Sequence, residues 1–241
     1  MTDLSIVIPA YNEADRLGPT LDELRPLLAT LGGTTEVIVV DDGSEDATIA
    51  VAERHLTAFP AGSVISSTPN RGKGRAVRVG MTAATGERRL FMDADGSTAL
   101  EEIGRFLRHA DATGDQVVIG SIGRRDQHRV VPQSRFRTIA GRAANLLIQA
   151  VVLPGIKDTQ RGFKLFDGDA AADIFGRCTV DGWLFDVEAL AIARRRGYRI
   201  AELPVTWQHK EDSRVKASSY LRVLWDLLRI RWRLWRGRYD A

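Results

Sequence analysis

Residues 36–44 read EVIVVDDGS: a glutamate and four β-branched residues that run straight into two carboxylates, a glycine and a serine. A short apolar run cut off by turn-forming residues reads as a strand buried on both faces. The same wording recurs on either side. Leu4–Pro9 (LSIVIP) leads into AYNE, and Arg89–Met92 (RLFM) leads into DADG. Between these runs lie segments of helical period. Glu13–Thr30 carries Leu17, Leu21, Leu24, Leu27 and Leu28; residues 46–57 follow a cap at Ser44 or Asp46; Gly72–Ala84 is the third. Val64–Ser67 adds a strand, Leu100–Ala110 a helix and Gln116–Gly120 (QVVIG) another strand. This alternation predicts an α/β domain with a mostly parallel central sheet. Ligands bind beyond the carboxyl ends of such strands, so YNE, DDGS and DADG are expected on one rim.

The second half is less regular. Gly123–Arg137 is a basic, proline-containing stretch and reads as a loop. Thr138–Val152 and Gly182–Arg196 read as helices, Tyr198–Trp207 as a strand, and Ala217–Arg236 as a long terminal helix. The expected division is a catalytic domain over 1–216 and a basic, aromatic helix over 217–241.

With 241 residues, 44% of them apolar, the chain can bury a sizeable core. Its one cysteine, Cys178, excludes an internal disulfide and suits a reducing, cytoplasmic setting. No leader is expected from the polar Met1–Ser5 and the short run after it. No stretch reaches the roughly 18 apolar residues of a membrane span. The net charge is +3, yet residues 210–241 hold nine Lys/Arg against four Asp/Glu, so the rest is near −2. A near-neutral body with a basic tail argues against nucleic-acid binding and for a local contact with anionic material, a membrane surface included.

The candidate chemistry lies at the strand ends. Asp93–Ala94–Asp95 puts two carboxylates at i and i+2, where they can converge on Mg2+ or Mn2+. Its alternative is a solvated acidic turn. Asp42 can accept from a ribose hydroxyl or a base N–H, Tyr11 offers a stacking face, and Glu13 a further acceptor. Asn70–Gly74 (NRGKG) is a basic, glycine-flanked turn before a helix, fit to meet a phosphate through backbone N–H groups and Lys73. It lacks the spacing of a Walker loop, and no GxGxxG follows the first strand. His55, His109, His128 and His209 have no metal-ligand spacing.

In order, the words IVIPAYNE, VVDDGSEDAT, NRGKGRAVRVG, MDADGST, DTQRGFKLF and WLFDVE resemble the family 2 glycosyltransferases of GT-A fold, over roughly residues 4–216. Within them the chain is most similar to the branch that glycosylates dolichyl or polyprenyl phosphate, and Asp158–Thr159–Gln160 before Gly162–Phe163–Lys164 points to its glucosyl members. The resemblance implies a UDP-sugar donor, UDP-glucose first. Pro9, Ala10, Tyr11, Glu13 and Asp42 would line the nucleoside pocket; Lys73, Asp93, Ala94 and Asp95 would meet the diphosphate, Asp93 and Asp95 through the metal. Mannosyl relatives carry a glutamine metal ligand where this chain has Ser97. Arg214 and Lys216 would close over the donor phosphates.

The implied reaction inverts at the sugar C1. A hydroxyl acceptor needs a general base, for which Asp158 is the candidate; it can instead orient the sugar or anchor Lys164 or an arginine. A phosphate acceptor needs cations instead. Arginines 124, 125, 129, 135 and 137 offer them, Arg124, Arg125 and Arg137 foremost. Asp186 and Glu188 read as sugar-hydroxyl acceptors or as partners of that arginine loop, and Trp183 and Phe185 as packing or acceptor-side residues. In the terminal segment, Arg222, Arg229, Arg233 and Arg236 fall within about 60° on a helical wheel, beside Leu221, Leu224, Trp225, Leu228, Trp232 and Trp235. That pattern suits a membrane interface, or a helix docked on its own domain. The alternatives to a polyprenyl-phosphate acceptor are a soluble acceptor, GDP-mannose as donor, and a non-catalytic sugar-nucleotide-binding protein.

Overall fold

The computed structural model describes residues 2–122, 145–207 and 219–240. Seven strands form one sheet in the order β3-β2-β1-β4-β6-β5-β7. They are β1 (Leu4–Ala10), β2 (Thr35–Asp41), β3 (Gly62–Ser66), β4 (Arg88–Met92), β5 (Val117–Ile122), β6 (Phe163–Asp167) and β7 (Ile200–Val205). The helices are α1 (Ala14–Leu31), α2 (Thr48–Leu56), α3 (Lys73–Ala83), α4 (Glu102–Thr113), α5 (Gly168–Arg177), α6 (Phe185–Arg195) and α7 (Ser219–Trp235). Residues 145–151 are also helical.

The pairs β1–β2, β2–β3 and β1–β4 are parallel, as is β5–β7, whereas β6 runs antiparallel to both β4 and β5. The sheet is thus mostly parallel, as the alternation predicts, with one reversed strand inside it. Central strands carry apolar residues on both faces because helices cover both. Ile6 and Ile8 face one core with Leu17, Leu21, Leu24 and Phe106, while Val7 faces the other with Val77, Phe166, Phe175 and Leu190. The second core also takes Leu227, Ile230 and Tyr239 from α7 and the turn after it. Among the described residues no helix is long and apolar enough to cross a membrane.

Topology places the site. The chain leaves β1 for β2 and β3 on one side, then crosses to β4 on the other. The crevice between the carboxyl ends of β1 and β4 is the switch point at which open α/β sheets bind ligands. One helix, α5, is absent from the sequence expectations. It starts at Asp167, whose side chain accepts from the Asp169 and Ala170 N–H groups at 3.1 and 3.4 Å. That is an N-cap in the ordinary sense, at a residue that also ends β6.

Candidate active site

The loops after β1 and β2 are laced together. The Asn12 N–H donates to Ser44 Oγ (2.9 Å), the Glu45 N–H to Asn12 Oδ1 (2.8 Å) and the Glu13 N–H to Thr48 Oγ1 (2.8 Å). Ser44 therefore binds the neighbouring loop rather than capping α2, and Asp46 takes the Thr48 N–H at 2.9 Å. The Glu13 carboxylate receives Arg16 through two hydrogen bonds, at 2.7 and 2.9 Å. Pro9 and Ala10 are buried in β1, opposite Val40 and Asp41.

The two aspartates at the end of β2 do different things. Asp41 folds its own turn, accepting from the Gly43 and Ser44 N–H groups at 3.1 and 3.2 Å. Asp42, also buried, reaches across: Oδ1 accepts from the Arg71 N–H (3.0 Å) and Oδ2 from the Gly72 N–H (2.7 Å). It fixes the 70–74 turn, while each oxygen keeps a second lone pair. Gly72 has φ 115°, a conformation L side chains rarely adopt, and a Cβ there would overlap the Asp181 carbonyl.

That turn starts α3 and aims Lys73 at the end of β4. The Lys73 ammonium donates to Asp93 Oδ1 in an ion pair, and it lies 6.0 Å from the Trp183 ring centroid. Burial alone would lower the Lys73 pKa, but Asp93 and then Asp186 outweigh it and hold the ammonium above its ordinary range. Asp95 accepts from the Ser97 N–H at 2.9 Å, and Ala94 is buried between the two aspartates.

The reversed strand closes the site from behind. The Asp93 N–H donates to the Gly162 carbonyl (3.0 Å), which extends the β4–β6 ladder one step past Met92 and Phe163. A Cβ on Gly162 would overlap the Asp93 carboxylate carbon and both its oxygens, so only glycine leaves that carboxylate in place. Gly162→Ala is therefore expected to push Asp93 aside and cut turnover about 100-fold, the scale of a 1 Å misplacement. Calorimetric titration of Mn2+ together with UDP should show the same variant binding more weakly.

Behind Gly162, Lys164 is wholly buried and pairs with Asp186 at 2.7 Å. Its ammonium also donates to the Arg161 carbonyl and sits 5.2 Å from the Phe91 ring centroid. Burial raises the Asp186 pKa, against the pull of Lys164 and Lys73. Asp158 pairs with Arg161 at 2.9 Å, and the Arg161 guanidinium lies 4.8 Å from the Trp207 ring. Of the two anchors the sequence left open for Asp158, the arginine is the one found. The Glu188 carboxylate accepts, among the described residues, from the Thr179 and Val180 N–H groups and from two hydroxyls, those of Thr179 and Tyr239. Phe185 is buried against Phe91, with centroids 5.6 Å apart, while Trp183 is 41% exposed. Arg124, Arg125, Arg129, Arg135, Arg137, Arg214 and Lys216 lie outside the described residues, as do His128 and His209.

Among the described residues no three His, Cys, Asp or Glu side chains converge as a closed metal cage. Two carboxylates on one turn, one already holding an ammonium, suit a hard cation that completes its shell with diphosphate oxygens and water. The donor set fits Mg2+ or Mn2+ on those terms.

Known proteins resemble this chain both in sequence and in fold. The family model for glycosyl transferase family 2 matches residues 5–175. The dolichyl-phosphate beta-glucosyltransferase of Homo sapiens is 38% identical over 247 residues, covering 97% of this chain and 76% of the human protein. Among solved structures, glucosyl-3-phosphoglycerate synthase from Mycobacterium tuberculosis, in complex with Mn2+, UDP and phosphoglyceric acid, superposes with a TM-score of 0.69 at 22% identity, covering 95% of this chain and 78% of that one. Mannosyl-3-phosphoglycerate synthase from Rubrobacter xylanophilus gives 0.70 at 20% identity, covering 98% and 76%. Those structures share the fold, a GT-A-like sheet flanked by helices. By its family match and its 38% identity to a curated relative of which it covers 76%, this chain belongs to glycosyltransferase family 2.

Proposed function

We propose that this chain transfers a hexose, glucose foremost, from UDP-glucose to an acceptor, with inversion at C1. The carrying observation is the acidic and basic groups gathered at the switch point: Asp93 with Lys73 on it, Asp95 two residues on, and Asp42 holding the turn that aims Lys73. In this reading Pro9, Ala10, Tyr11, Glu13 and Asp42 form the nucleoside side. Lys73 turns from Asp93 to the diphosphate when the donor arrives, and Arg214 and Lys216 close over it. Asp93 and Asp95 hold Mg2+ or Mn2+, which when bound offsets the charge that builds on the departing UDP. The mycobacterial synthase of the same fold, solved with Mn2+ and UDP, supports a metal and a UDP-sugar in this reading.

Two acceptors suit this donor site. A soluble acceptor is supported by the glucosyl- and mannosyl-3-phosphoglycerate synthases, whose names give a small phosphorylated acid as the glycosylated partner. Its hydroxyl would need a base. Asp158 pairs with Arg161 at 2.9 Å and is read as the residue that sets Arg161 against Trp207. A polyprenyl phosphate is supported by the curated relatives and by α7. That helix buries Asp226, Leu227 and Ile230 and exposes Leu224, Trp225, Leu228, Trp232 and Trp235 as a second stripe, with Arg229 and Arg236 beside it. Such a stripe suits peripheral contact with an anionic membrane surface. A phosphate nucleophile is already ionised, and arginines 124, 125 and 137 would hold it.

The test is UDP release by purified protein with Mn2+ or Mg2+. UDP-glucose, other UDP-sugars and GDP-mannose are each offered alone, with 3-phosphoglycerate, and with a short polyprenyl phosphate in detergent. Acceptor-dependent release from one donor names both substrates. GDP-mannose as the single working donor would replace the UDP-glucose reading. Binding of a donor with no turnover under any acceptor would favour a sugar-nucleotide-binding role, and no binding of any donor would overturn the proposal.

A further inference from the structure

The donor-phosphate turn is held from outside the site. The first turn of α3 leans on the segment Cys178–Gly182: the Gly74 and Arg75 N–H groups donate to the Asp181 carbonyl at 2.9 and 3.3 Å. Arg78, one turn further, donates to the Cys178 carbonyl (3.1 Å) and pairs with the Asp181 carboxylate (2.7 Å). The approach is close enough that a Cβ on Gly74 would lie 2.5 Å from the Val180 carbonyl and 2.6 Å from Phe185 Cβ. Segment 178–182 is thus the bed on which Lys73 rests.

The bed is pinned from its other side by one buried carboxylate. Glu188 accepts the Val180 N–H (2.7 Å), the Thr179 N–H and hydroxyl (both 2.8 Å), and the Tyr239 hydroxyl (2.7 Å). Tyr239 is wholly buried. The turn that carries it is tied down by Arg195 on Asp240, with hydrogen bonds of 2.6 and 2.7 Å, by Arg177 on the Tyr239 carbonyl (3.2 Å), and by Arg233 5.2 Å from the Tyr239 ring. Among the described residues, the hydrogen bonds of Glu188 go to Thr179, Val180 and Tyr239 rather than to the rim. Their influence on it runs through backbone.

We infer that Glu188 and Tyr239 are positioning residues for donor binding: together they fix the 178–182 segment, which fixes the start of α3 and so the reach of Lys73. The inference rests on the donor reading above for its substrate, but not for its mechanics. A buried carboxylate with four donors is well satisfied, so taking one away loosens the segment without leaving an unpaired charge. Tyr239→Phe removes one hydroxyl and keeps the ring that fills the core.

The test uses the full chain. Hydrogen exchange is measured for Tyr239→Phe and Glu188→Gln in the peptides covering residues 70–76 and 178–182, and steady-state kinetics are run with UDP-glucose. Exchange should quicken about tenfold in both peptides, with the strands β1 and β4 unchanged, as local opening without global unfolding requires. KM for UDP-glucose should rise about fivefold to tenfold, with kcat held within about twofold, a split that general loss of folded protein would not produce. Exchange that quickens at 178–182 alone, with residues 70–76 and the donor KM at wild-type values, would overturn the inference. If the wild-type protein uses no sugar nucleotide, the donor reading fails, and the exchange comparison still decides whether Tyr239 controls the turn.

Discussion

Asp95→Asn is expected to reduce transfer about 1000-fold while leaving the fold intact. The change is chosen for what it keeps. Asp95 accepts the N–H of the buried Ser97 at 2.9 Å, and an asparagine Oδ1 can accept the same bond. What disappears is the negative charge. A cation shared by two carboxylates and a diphosphate loses a large part of its protein-borne charge when one carboxylate becomes an amide. Losses of roughly 3–4 kcal/mol in transition-state stabilisation are usual when one electrostatic partner of the departing charge is removed, which is of the order of 1000-fold in kcat/KM. Thermal unfolding should move little, since no ion pair to Asp95 is present among the described residues. Asp95→Ala should be as inactive and somewhat less stable, because the Ser97 N–H then loses its acceptor at a cost of about 1–3 kcal/mol. Kinetics with UDP-glucose and a denaturation curve for each variant check both parts. Asp95→Asn activity within about tenfold of wild type would remove the metal from the proposed chemistry.

The contrast between Asp93 and Asp95 explains why the rim was legible in the sequence and its support was not. A carboxylate pair directly after an apolar run is visible because strand and turn signals are local. So are Asp42 at the end of β2 and Tyr11 at the end of β1. What lies beneath them is set by pairing across the sheet. The helical and strand periods say nothing about strand direction, so the reversal of β6 could not be read, and with it went the reason for Gly162. Once Phe163 faces Met92 in an antiparallel register, the residue before it must face Asp93. Asp167 caps α5 and also ends β6, so one residue carries both a strand end and a helix start, and neither element was assigned from the sequence. Ser44 was misplaced for a related reason. A hydroxyl near a helix start reads as its cap, whereas here the loop after β1 is near enough to claim it. Glu188 shows the same limit: WLFDVE marks it as notable, yet its partner Tyr239 comes from beyond α7.

The Lys164–Asp186 pair is the most hidden of these features, and its disruption is expected to have the largest effect on stability. Both side chains are buried, at 0% and 5% exposure, and their charged atoms are 2.7 Å apart. A buried pair is a weak source of net stability, because desolvation offsets most of the attraction, yet removing one partner strands the other. Lys164→Met should therefore cost about 3–5 kcal/mol, read as a shift in a urea transition. The pH dependence follows from the sign of the shift. Burial already holds the Asp186 pKa above its ordinary value, and without Lys164 it should go higher. A carboxyl that stays protonated in the fold while the unfolded chain ionises it loses stability as pH rises past the ordinary carboxylate pKa of about 4. The deficit of Lys164→Met should thus be greatest at neutral pH and shrink toward pH 4. Adding Asp186→Leu removes the stranded charge and should restore most of the loss. The double variant then separates fold from function: Asp186 also helps to hold the Lys73 charge, so a stable protein lacking it should bind UDP-glucose more weakly. If Lys164→Met alone costs less than about 1 kcal/mol, the stranded-charge account of this pair is wrong.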